Sequence, residues 1–493
     1  MTRRETIIFR ADGSALIGMG HFSRTLALAN MLKTDFRCVF ATQSPTDRQI
    51  REIEKICDDL YTLPEDDSHY EIFLKSLNGD EIVVLDNYYY SPDYQLKIKS
   101  RGCKVVCIDD IHDKHYFADI VINHAPLSAD KFSTEIHTRL LLGFEYALLH
   151  PLFLNNKERN KGNDFQSILI CFGGTDENNF SQKVLEEIKD DKSIKQITII
   201  VGEKHVHSKI FDTYIDQIKT DINISILRNL SAAEMVNAGR MADLAIVPCS
   251  TIMLEMLSLE VPIISGYHTE NQYELAKSVE NKYDDILMIG DLNKLAINST
   301  HINIMRNRKL SNRASSLFGL QSIANIQRAF FQLGQEYKIK CRKANSFDVD
   351  TYFSWANDED VRMNSISIKP ISRKTHEKWY SEKMANNESF LYFFESEKTA
   401  VGQTRFDKEG KEVYVDYSID KKHRGKGYGL SMLRLALEFV GKDLHSTDYN
   451  CIVAKVKASN IASMKIFKSL NFFISPNDNS LDNSIAIFKK QIA

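Results

Sequence analysis

The sequence predicts an α/β protein with two successive doubly wound parallel sheets and a smaller α+β domain at its C-terminal end. Two observations predict this fold class. Short apolar runs alternate with helical stretches through residues 1–337, as buried parallel strands alternate with their crossover helices. Near the C-terminal end, an apolar strand, a basic glycine-rich turn and a long apolar helix follow one another.

The length of 493 residues allows three domains of ordinary size. We expect an N-terminal lobe over 1–155, a second lobe over 156–337 and a third domain over 338–493. An amphipathic stretch at 320–337 predicts a helix that closes the second lobe. No Pro/Ser-rich linker follows it before the next predicted strand.

Composition argues against several kinds of partner. The net charge of −3 gives no reason to expect binding to nucleic acid or to an anionic membrane. The eight cysteines form neither a C-x-x-C pair nor a Cys/His cluster at zinc spacing, so we expect no metal and a reduced, cytoplasmic setting. The N-terminal residues lead straight into a strand and no apolar run is long enough to span a bilayer, so we expect neither signal peptide nor membrane span.

The first lobe shows polar residues just after its predicted strands, where open parallel sheets place their ligands. Asp86-Asn87-Tyr88, Asp109-Asp110 and Asn123-His124 are three such groups. Each has an ordinary alternative as a helix cap or a solvated loop. The apolar runs that predict the strands are 7–9, 37–41, 82–86, 104–109 and 119–122, with helices near 46–58 and 91–101.

A glycine-rich turn after the first strand carries a histidine at the start of a helix. The turn comprises residues 10–14 and 17–21, and its glycines do not fit the dinucleotide fingerprint G-x-G-x-x-G. A helix start favours neutral imidazole, so His21 is suited to accept a proton from water. Its ordinary alternative is the start of a helix in a tight turn.

The run Arg10-Ala11-Asp12-Gly13-Ser14 with Gly18-Met19-Gly20-His21-Phe22-Ser23-Arg24 resembles the signature of the UDP-sugar hydrolase of pseudaminic acid biosynthesis. The resemblance extends from about residue 5 to about residue 330. It implies two Rossmann-like lobes of the GT-B type, as in the glycosyltransferases that build lipid II. It also implies removal of UDP from UDP-2,4-diacetamido-2,4,6-trideoxy-β-L-altrose.

This resemblance implies roles for individual residues of the first lobe. His21 is the implied base for water, and Asp86 and Tyr88 are implied sugar-side residues because the family has a similar Asp-x-Tyr here. Asp12 either orients His21 or holds substrate hydroxyls. Arg10 and Gly20 complete the set expected to bind substrate.

The second lobe resembles the donor half of the lipid II glycosyltransferases. The turn Gly173-Gly174-Thr175 follows a buried strand and is suited to bring backbone N–H groups to phosphate. The resemblance implies that Ser250 and Thr251 hold diphosphate and that Glu255 binds the ribose hydroxyls. It places Asn271 and Gln272 beside the UDP or the sugar. The ordinary alternative is a Ser-Thr cap with Glu255 on the solvent face.

The third domain resembles the GCN5-related N-acetyltransferases (GNAT). After a strand at 413–419, residues 424–429 fit the [Q/R]-x-x-G-x-[G/A] loop that binds the pyrophosphate of coenzyme A at a helix start. The acceptor-side residues around Trp355, His376 and Trp379 resemble those of the members that act on ribosomal proteins. The resemblance implies an acetyl-CoA-binding set of Ile419, Arg424, Gly425, Lys426, Gly427, Tyr428, Gly429 and Asn460.

Two positions depart from the GNAT pattern. Phe467 stands where many members have a tyrosine general acid, so another group or solvent must protonate the thiolate of coenzyme A. Asn471 replaces a glycine at little cost, because Asn tolerates the left-handed conformation. The base for the acceptor amine is open between Asp416 and Tyr414, both of which have structural alternatives.

Together the two resemblances imply a bifunctional enzyme. The GNAT domain is expected to acetylate the C4 amine of a UDP-4-amino-4,6-dideoxy-AltNAc sugar, and the first two lobes to hydrolyse the product by inverting attack of water. The expected partners are the UDP-amino sugar and acetyl-CoA, with no metal. The alternatives are a glycosyltransferase with a tailoring acetyltransferase, an enzyme of a related diamino nonulosonic acid route, and a binding module whose acetyltransferase is inactive.

Overall fold

A computed structural model describes residues 4–14, 17–154, 164–202, 208–310, 313–444, 449–475 and 484–492. These residues form three large sheets in chain order, and the mixed α/β architecture predicted from the sequence is confirmed. Within the described ranges, no helix combines the length and the apolar character needed to cross a bilayer.

The first sheet has seven parallel strands in the order β3-β2-β1-β4-β5-β7-β9. Its central strands are buried on both faces, which explains their continuous apolar sequences. A two-stranded ribbon, β6–β8, lies beside it. The strands are β1 (Thr6–Ala11), β2 (Arg37–Gln43), β3 (Asp59–Leu63), β4 (Ile82–Asp86), β5 (Lys104–Ile108), β6 (His115–Tyr116), β7 (Ile120–Asn123), β8 (Ser133–Thr134) and β9 (Arg139–Leu142). The helices are α1 (Gly20–Leu32), α2 (Asp47–Glu54), α3 (Ser68–Ser76), α4 (Pro92–Ser100) and α5 (Pro151–Leu154).

The second sheet has six parallel strands in the order β12-β11-β10-β13-β14-β15. The strands are β10 (Ser167–Ile170), β11 (Gln196–Val201), β12 (Asn223–Arg228), β13 (Leu244–Pro248), β14 (Ile263–Tyr267) and β15 (Ile286–Asp291). The helices are α6 (Phe180–Ile188), α7 (Ser208–Gln217), α8 (Ala232–Met241), α9 (Thr251–Ser258), α10 (Glu270–Val279), α11 (Ser299–Arg306) and α12 (Leu320–Gln335).

The third sheet is antiparallel except for one parallel pair, in the order β16-β17-β18-β19-β20-β22-β21. The strands are β16 (Ile339–Lys343), β17 (Ser389–Ser396), β18 (Thr399–Glu409), β19 (Glu412–Ile419), β20 (Cys451–Lys457), β21 (Phe473–Ile474) and β22 (Ile485–Gln491). The helices are α13 (Val349–Ala356), α14 (Glu359–Asn364), α15 (Arg373–Ala385), α16 (Tyr428–Leu444) and α17 (Ile461–Ser469).

One hydrophobic core joins the first two sheets. Ile7 and Phe9 of β1 belong to the same buried cluster as Val247 of β13 and Met253 of α9. The buried face of α12, which includes Phe330, completes this cluster. The helix predicted in residues 320–337 is therefore present, and it packs against the core that the first two sheets share.

A buried charge cluster joins the third domain to the first sheet. Arg434 of α16 is 1% exposed, and its Nη1 donates to Asp119 at 3.0 Å while its Nε donates to Glu336 at 2.5 Å. Lys104 of β5 lies 3.1 Å from Glu336. A buried arginine that lost these partners would be strongly destabilising, so the cluster fixes the junction between the domains.

Candidate active sites

The loop between β1 and α1 places a histidine at the end of the first sheet where its central strands terminate. Gly18 in this loop has a φ of +78°, a left-handed conformation that favours glycine, and α1 begins two residues later. His21 therefore lies in the first turn of α1. Its Nδ1 is 2.7 Å from Oδ1 of Asp86. Because an ionised carboxylate only accepts hydrogen bonds, Nδ1–H is the donor and Nε2 carries the lone pair.

Asp86, the last residue of β4, is fully buried and holds this histidine in place. Its carboxylate also accepts hydrogen bonds from Arg24 Nη2 at 2.6 Å and from Thr25 Oγ1 at 2.7 Å. Burial alone would raise the pKa of Asp86, but the charge and hydrogen bonds of Arg24 and the hydrogen bond of His21 lower it to about 2. The carboxylate is therefore ionised at physiological pH. Hydrogen bonds from Arg24 and Thr25 fix its oxygens, so that it can hold the His21 ring in one orientation.

Tyr88 stands beside the histidine. The Tyr88 and His21 rings meet edge to face with centroids 4.6 Å apart, and the Tyr88 hydroxyl donates to Asp110 Oδ2 at 3.2 Å. Asp110 also accepts from Arg24 Nη1 at 2.9 Å. Burial would raise the pKa of Asp110, but the Arg24 guanidinium holds it below its usual value. Arg24 thus ties together the polar residues that follow β4 and β5.

Asp12 and Arg10 belong to a different buried network. Arg10 Nη1 donates to Asp12 at 2.6 Å, and the second Asp12 oxygen accepts from the hydroxyl of Tyr89. Asp12 also accepts from the backbone N–H of Gln43 at 2.7 Å. Arg10 is fully buried. The structure therefore places Asp86, rather than Asp12, against His21, and it places Asp12 where it organises the loops after β1 and β2.

Across from His21, the second sheet supplies the other wall of a cleft of about 230 Å³. Ser250 and Thr251, at the start of α9, line this cleft together with Gln272 of α10. Ser250 occupies the N-cap position without a side-chain capping hydrogen bond, in contrast to the capping alternative. The Gln272 amide oxygen accepts from the backbone N–H of His268 at 3.1 Å.

Three further charged or titratable residues line this cleft, namely Arg24, Asp110 and His124, and the last follows β7. Burial and the nearby charge of Arg24 lower the pKa of His124 to about 4, so its imidazole is neutral. Gly20, which was predicted, lines the cleft as well. The sequence singled out Asp110 and His124 because they follow strand ends, whereas it assigned no role to Arg24.

The remaining predicted UDP-binding residues lie outside the described lining of the cleft. Glu255 is one helical turn from Thr251 on the same face of α9. Its side chain is half-buried rather than exposed, and burial raises its pKa to about 8. Asn271 lies in α10, but its side chain is outside the described part of the structure.

The Gly-Gly-Thr turn is open, but the helix after it is already capped. Gly173 has a φ of +86°, and a Cβ on Gly173 or Gly174 would meet nothing within 4 Å. The following helix begins only at Phe180, whose backbone N–H donates to Asp176 at 2.8 Å. The Asp176 carboxylate therefore occupies the helix start that the sequence offered to phosphate, and Thr175 remains exposed in the turn.

The third domain contains a larger pocket, of about 1150 Å³. It opens where β19 and β20, paired in parallel up to Tyr414 and Val453, stop pairing. Gly425 and Gly427 of the basic loop have φ values of +74° and +85°. A Cβ on Gly429 would come within 2.8 Å of Ile419 and Ile466. All three glycines line the pocket, and each position disfavours any larger residue.

Side chains of the loop are tied to neighbouring elements. Arg424 donates to Asp358 and Asp360, each at 2.6 Å, and its Nε donates to the carbonyl of Ile419 at 3.1 Å. The Lys426 side chain is exposed, and its carbonyl accepts from Gln335 of α12 at 3.2 Å. Tyr428 begins α16 and lines the pocket. Arg424 therefore shapes the loop, and the last helix of the first two lobes supports it.

Asn460 and the two candidate bases also lie at this pocket. The Asn460 side chain caps α17 by accepting from the Ser463 backbone N–H at 3.1 Å. Tyr414 donates to Glu412 at 2.8 Å, and Asp416 is exposed with an oxygen 3.9 Å from Arg405. All of these except Glu412 line the pocket.

One group among the described residues has the geometry of a cation site, comprising Asp119, His137 and Glu438. Its carboxylates are already neutralised, because Lys99 lies 3.0 Å and Arg434 also 3.0 Å from Asp119. This group is the charge cluster at the domain junction and not part of either pocket.

Residues 339–472 match the family model of the acetyltransferase (GNAT) domain. The chain thus carries a GNAT domain at its C-terminal end, which makes acetyl-CoA its co-substrate. Among solved structures, the spermidine N-acetyltransferase of Vibrio cholerae, in complex with CoA and spermine, is 14% identical with a TM-score of 0.28, covering 31% of this chain and 96% of its own. A domain from Methanocaldococcus jannaschii is 19% identical with a TM-score of 0.27, covering 31% and 98%.

Two curated proteins resemble longer parts of the chain. The UDP-2,4-diacetamido-2,4,6-trideoxy-beta-L-altropyranose hydrolase of Campylobacter jejuni is 27% identical over 249 residues, which are 49% of this chain and 88% of that protein. An uncharacterized protein of Methanocaldococcus jannaschii is 25% identical over 492 residues, covering 94% of this chain and 95% of its own. The chain therefore combines an acetyltransferase domain with partial similarity to a UDP-sugar hydrolase.

Proposed function

We propose that the chain acetylates the C4 amine of a UDP-4-amino-4,6-dideoxy-AltNAc sugar and then hydrolyses the resulting UDP-2,4-diacetamido-2,4,6-trideoxy-β-L-altrose to free sugar and UDP. The observation that carries the proposal is the His21–Asp86 pair, 2.7 Å apart, in a cleft whose opposite wall is the start of α9. A base facing a helix N-terminus suits attack on a sugar bound through phosphate. The two proposed reactions are consecutive, since the first makes the substrate of the second.

In the hydrolytic step, His21 Nε2 takes a proton from water while Asp86 holds Nδ1–H and stabilises the imidazolium. The water oxygen bonds to the anomeric carbon as the bond from that carbon to the UDP oxygen breaks. Attack from the face opposite UDP inverts the configuration.

The second lobe receives the charge of the departing UDP. The α9 start with Ser250 and Thr251 would hold the diphosphate, and Glu255 would accept hydrogen bonds from the ribose diol. Gln272 lies in the same cleft and would contact the UDP or the sugar. The open Gly173-Gly174-Thr175 turn offers further backbone donors.

In the acetyl-transfer step, the loop at 424–429 holds the pyrophosphate of coenzyme A at the start of α16. The neutral C4 amine of the sugar attacks the thioester carbonyl, the carbon–sulfur bond breaks, and the thiolate takes up a proton. The pocket is continuous from the glycine loop to Trp379 and Asp416 on the acceptor side. This continuity supports a proposal in which acetyl-CoA and the acceptor sugar meet in one pocket.

The test is an incubation with acetyl-CoA and the UDP-4-amino sugar, following free thiol and free UDP together. We expect thiol first and UDP after a lag, with no UDP when acetyl-CoA is omitted. UDP that appears only after a sugar acceptor is added would replace hydrolysis with glycosyl transfer. Thiol without UDP under all conditions would contradict the hydrolytic half.

A further inference from the structure

We propose that the Tyr417 hydroxyl is the acid that protonates the departing thiolate of coenzyme A. The proposal rests on the acetyl-transfer half of the proposed function and is independent of the identity of the acceptor sugar. It assigns a role that the sequence left open, because Phe467 has no proton to give.

Tyr417 lies at the meeting point of the glycine loop and α17. Its ring is edge-on to the ring of Phe467, with centroids 6.0 Å apart at 72°. A Cβ built on Gly429, the third glycine of the loop, would lie 3.8 Å from Cε2 of Tyr417. A thioester that reaches into the pocket from this loop therefore passes next to Tyr417.

The hydroxyl of Tyr417 is connected to a second hydroxyl in the same pocket. Tyr417 OH and Ser463 Oγ are 2.8 Å apart, and both residues line the pocket. Ser463 in turn follows Asn460, the cap of α17. Burial raises the pKa of Tyr417 to about 12, so the phenol keeps its proton at physiological pH. The pair can therefore deliver one proton and be reprotonated through Ser463.

Other tyrosine hydroxyls of the described pocket lining point elsewhere. Tyr352 donates to the backbone carbonyl of Tyr392 at 3.0 Å, and Tyr414 donates to Glu412 at 2.8 Å. The Tyr428 hydroxyl lies 3.5 Å from Ser396 Oγ. Tyr417 is the one whose hydroxyl partner is itself on the helix that carries Phe467.

The amine nitrogen bonds to the acetyl carbon, and the tetrahedral intermediate expels the sulfur. Tyr417 gives its phenolic proton to that sulfur, producing the free thiol. The proton that the amine loses on forming the amide returns to the tyrosinate through Ser463 or water. No oxidant, metal or further reactant is needed.

The test is the variant Tyr417→Phe, which keeps the ring contacts with Phe467 and Gly429 and removes the hydroxyl alone. We expect kcat for thiol release to fall about 100-fold, the usual scale for general acid catalysis, while KM for acetyl-CoA stays within about twofold. Tyr380→Phe is the matched control, because Tyr380 is buried in the same domain and donates to the Asn345 carbonyl at 2.7 Å. Its kcat should equal that of the wild type.

The double variant Tyr417→Phe/Phe467→Tyr places a hydroxyl on the neighbouring ring, whose centroid is 6.0 Å away, and should recover at least fivefold of the lost kcat. Unchanged kcat in Tyr417→Phe would overturn the proposal. Equal losses in kcat and in affinity for coenzyme A, with a lower melting temperature, would also overturn it by showing a structural role.

Two acceptors keep this test separate from the proposed function. Thiol release is measured with the UDP-4-amino sugar and, independently, with hydroxylamine, which needs no sugar pocket. If hydroxylamine is acetylated and the UDP-4-amino sugar is not, the sugar assignment is wrong. The rates of wild type and Tyr417→Phe with hydroxylamine then still test the role of Tyr417. Wild-type protein that acetylates neither acceptor would contradict both proposals.

Discussion

The cleft around His21 and the pocket around residues 424–429 are built in opposite ways. In the cleft, charged side chains are already bonded to one another, with Asp86 shared between His21 and Arg24 at 2.7 and 2.6 Å. In the acetyltransferase pocket, the recognition elements are backbone features, namely the left-handed glycines and two strands that stop pairing. The first site is therefore built from side chains that already hydrogen-bond to one another, and the second from backbone conformations that line a long pocket.

This difference predicts where each site is vulnerable. Changing a side chain in the cleft should lower the rate of UDP release and leave the affinity for ligand unchanged, because we propose that the hydrogen-bonded side chains serve the chemical step. The pocket should lose affinity when a backbone conformation is changed. Because both sites are in one chain, the activity of the unchanged site can serve as the control for each variant of the other site.

The largest expected effect is in the cleft. His21→Ala should lower UDP release by about 10³-fold or more, because the imidazole nitrogen proposed to take the proton of water is removed. Acetyl transfer should remain at the wild-type rate. The control is His115→Ala in the same lobe, where His115 pairs with Glu135 at 3.0 Å away from the cleft lining. UDP release by His21→Ala at a rate near the wild type would remove His21 from the mechanism.

Asp86→Asn should lower UDP release by about 100-fold, since an amide no longer fixes the tautomer of His21.

The same variant should also change the dependence of stability on pH. Because the folded pKa of Asp86 is lowered to about 2, its contribution is present above the unfolded value near 4 and is lost as the pH falls through 2. Acid unfolding followed by circular dichroism should therefore be less steep between about pH 4 and 2 in Asp86→Asn. An unchanged acid profile would contradict the burial and pairing of this carboxylate.

In the acetyltransferase pocket, Gly425→Ala should raise KM for acetyl-CoA about tenfold. Its φ of +74° costs an L-residue roughly 1–2 kcal/mol, although a Cβ there would meet nothing within 4 Å. Gly410→Ala is a matched control, with a φ of +61° and equally open space in a hairpin turn away from the pocket. It should share the loss of stability without the change in KM. Equal KM values in both variants would show that the loop conformation does not matter for coenzyme A.

The smallest effect concerns Glu255. Its raised pKa, about 8, means that its ionisation opposes folding as the pH rises from about 4.5 through 8. Glu255→Gln should therefore be more stable than the wild type at pH 9 by a few degrees in melting temperature, and nearly equal to it at pH 5. Above pH 8, where Glu255 is ionised, the variant should also bind UDP more weakly, because it lacks the carboxylate proposed to accept hydrogen bonds from the ribose. A melting difference independent of pH would contradict the raised pKa of Glu255.

The sequence predicted much of the fold because its strands are continuous apolar runs. β1, β2, β4, β5 and β7 lie where the apolar runs 7–9, 37–41, 82–86, 104–109 and 119–122 predicted them. β3 and β9 were not predicted, because their exposed or short sequences carry no such signal; β3, for example, is half exposed along Asp59–Leu63. Tertiary pairing with β2 makes that segment a strand.

The sequence predicted the residues of the acetyltransferase pocket more completely than the contacts of the His21 cleft. The order of strand, glycine loop and helix identifies the acetyltransferase pocket, because backbone geometry leaves its mark in glycine spacing. The hydrogen-bond network of the cleft could not be predicted. Its members Arg24, Asp86 and Asp110 come from separate segments that meet only in the folded protein. Likewise, no spacing in the sequence places Tyr417 beside Phe467.

The most direct measurement is a single reaction in H₂¹⁸O with acetyl-CoA and the UDP-4-amino sugar, analysed by mass spectrometry of the UDP formed. Attack of water on the anomeric carbon predicts UDP without ¹⁸O, appearing only after thiol. Incorporation of ¹⁸O into the terminal phosphate of UDP, or release of UDP without prior acetylation, would contradict the account.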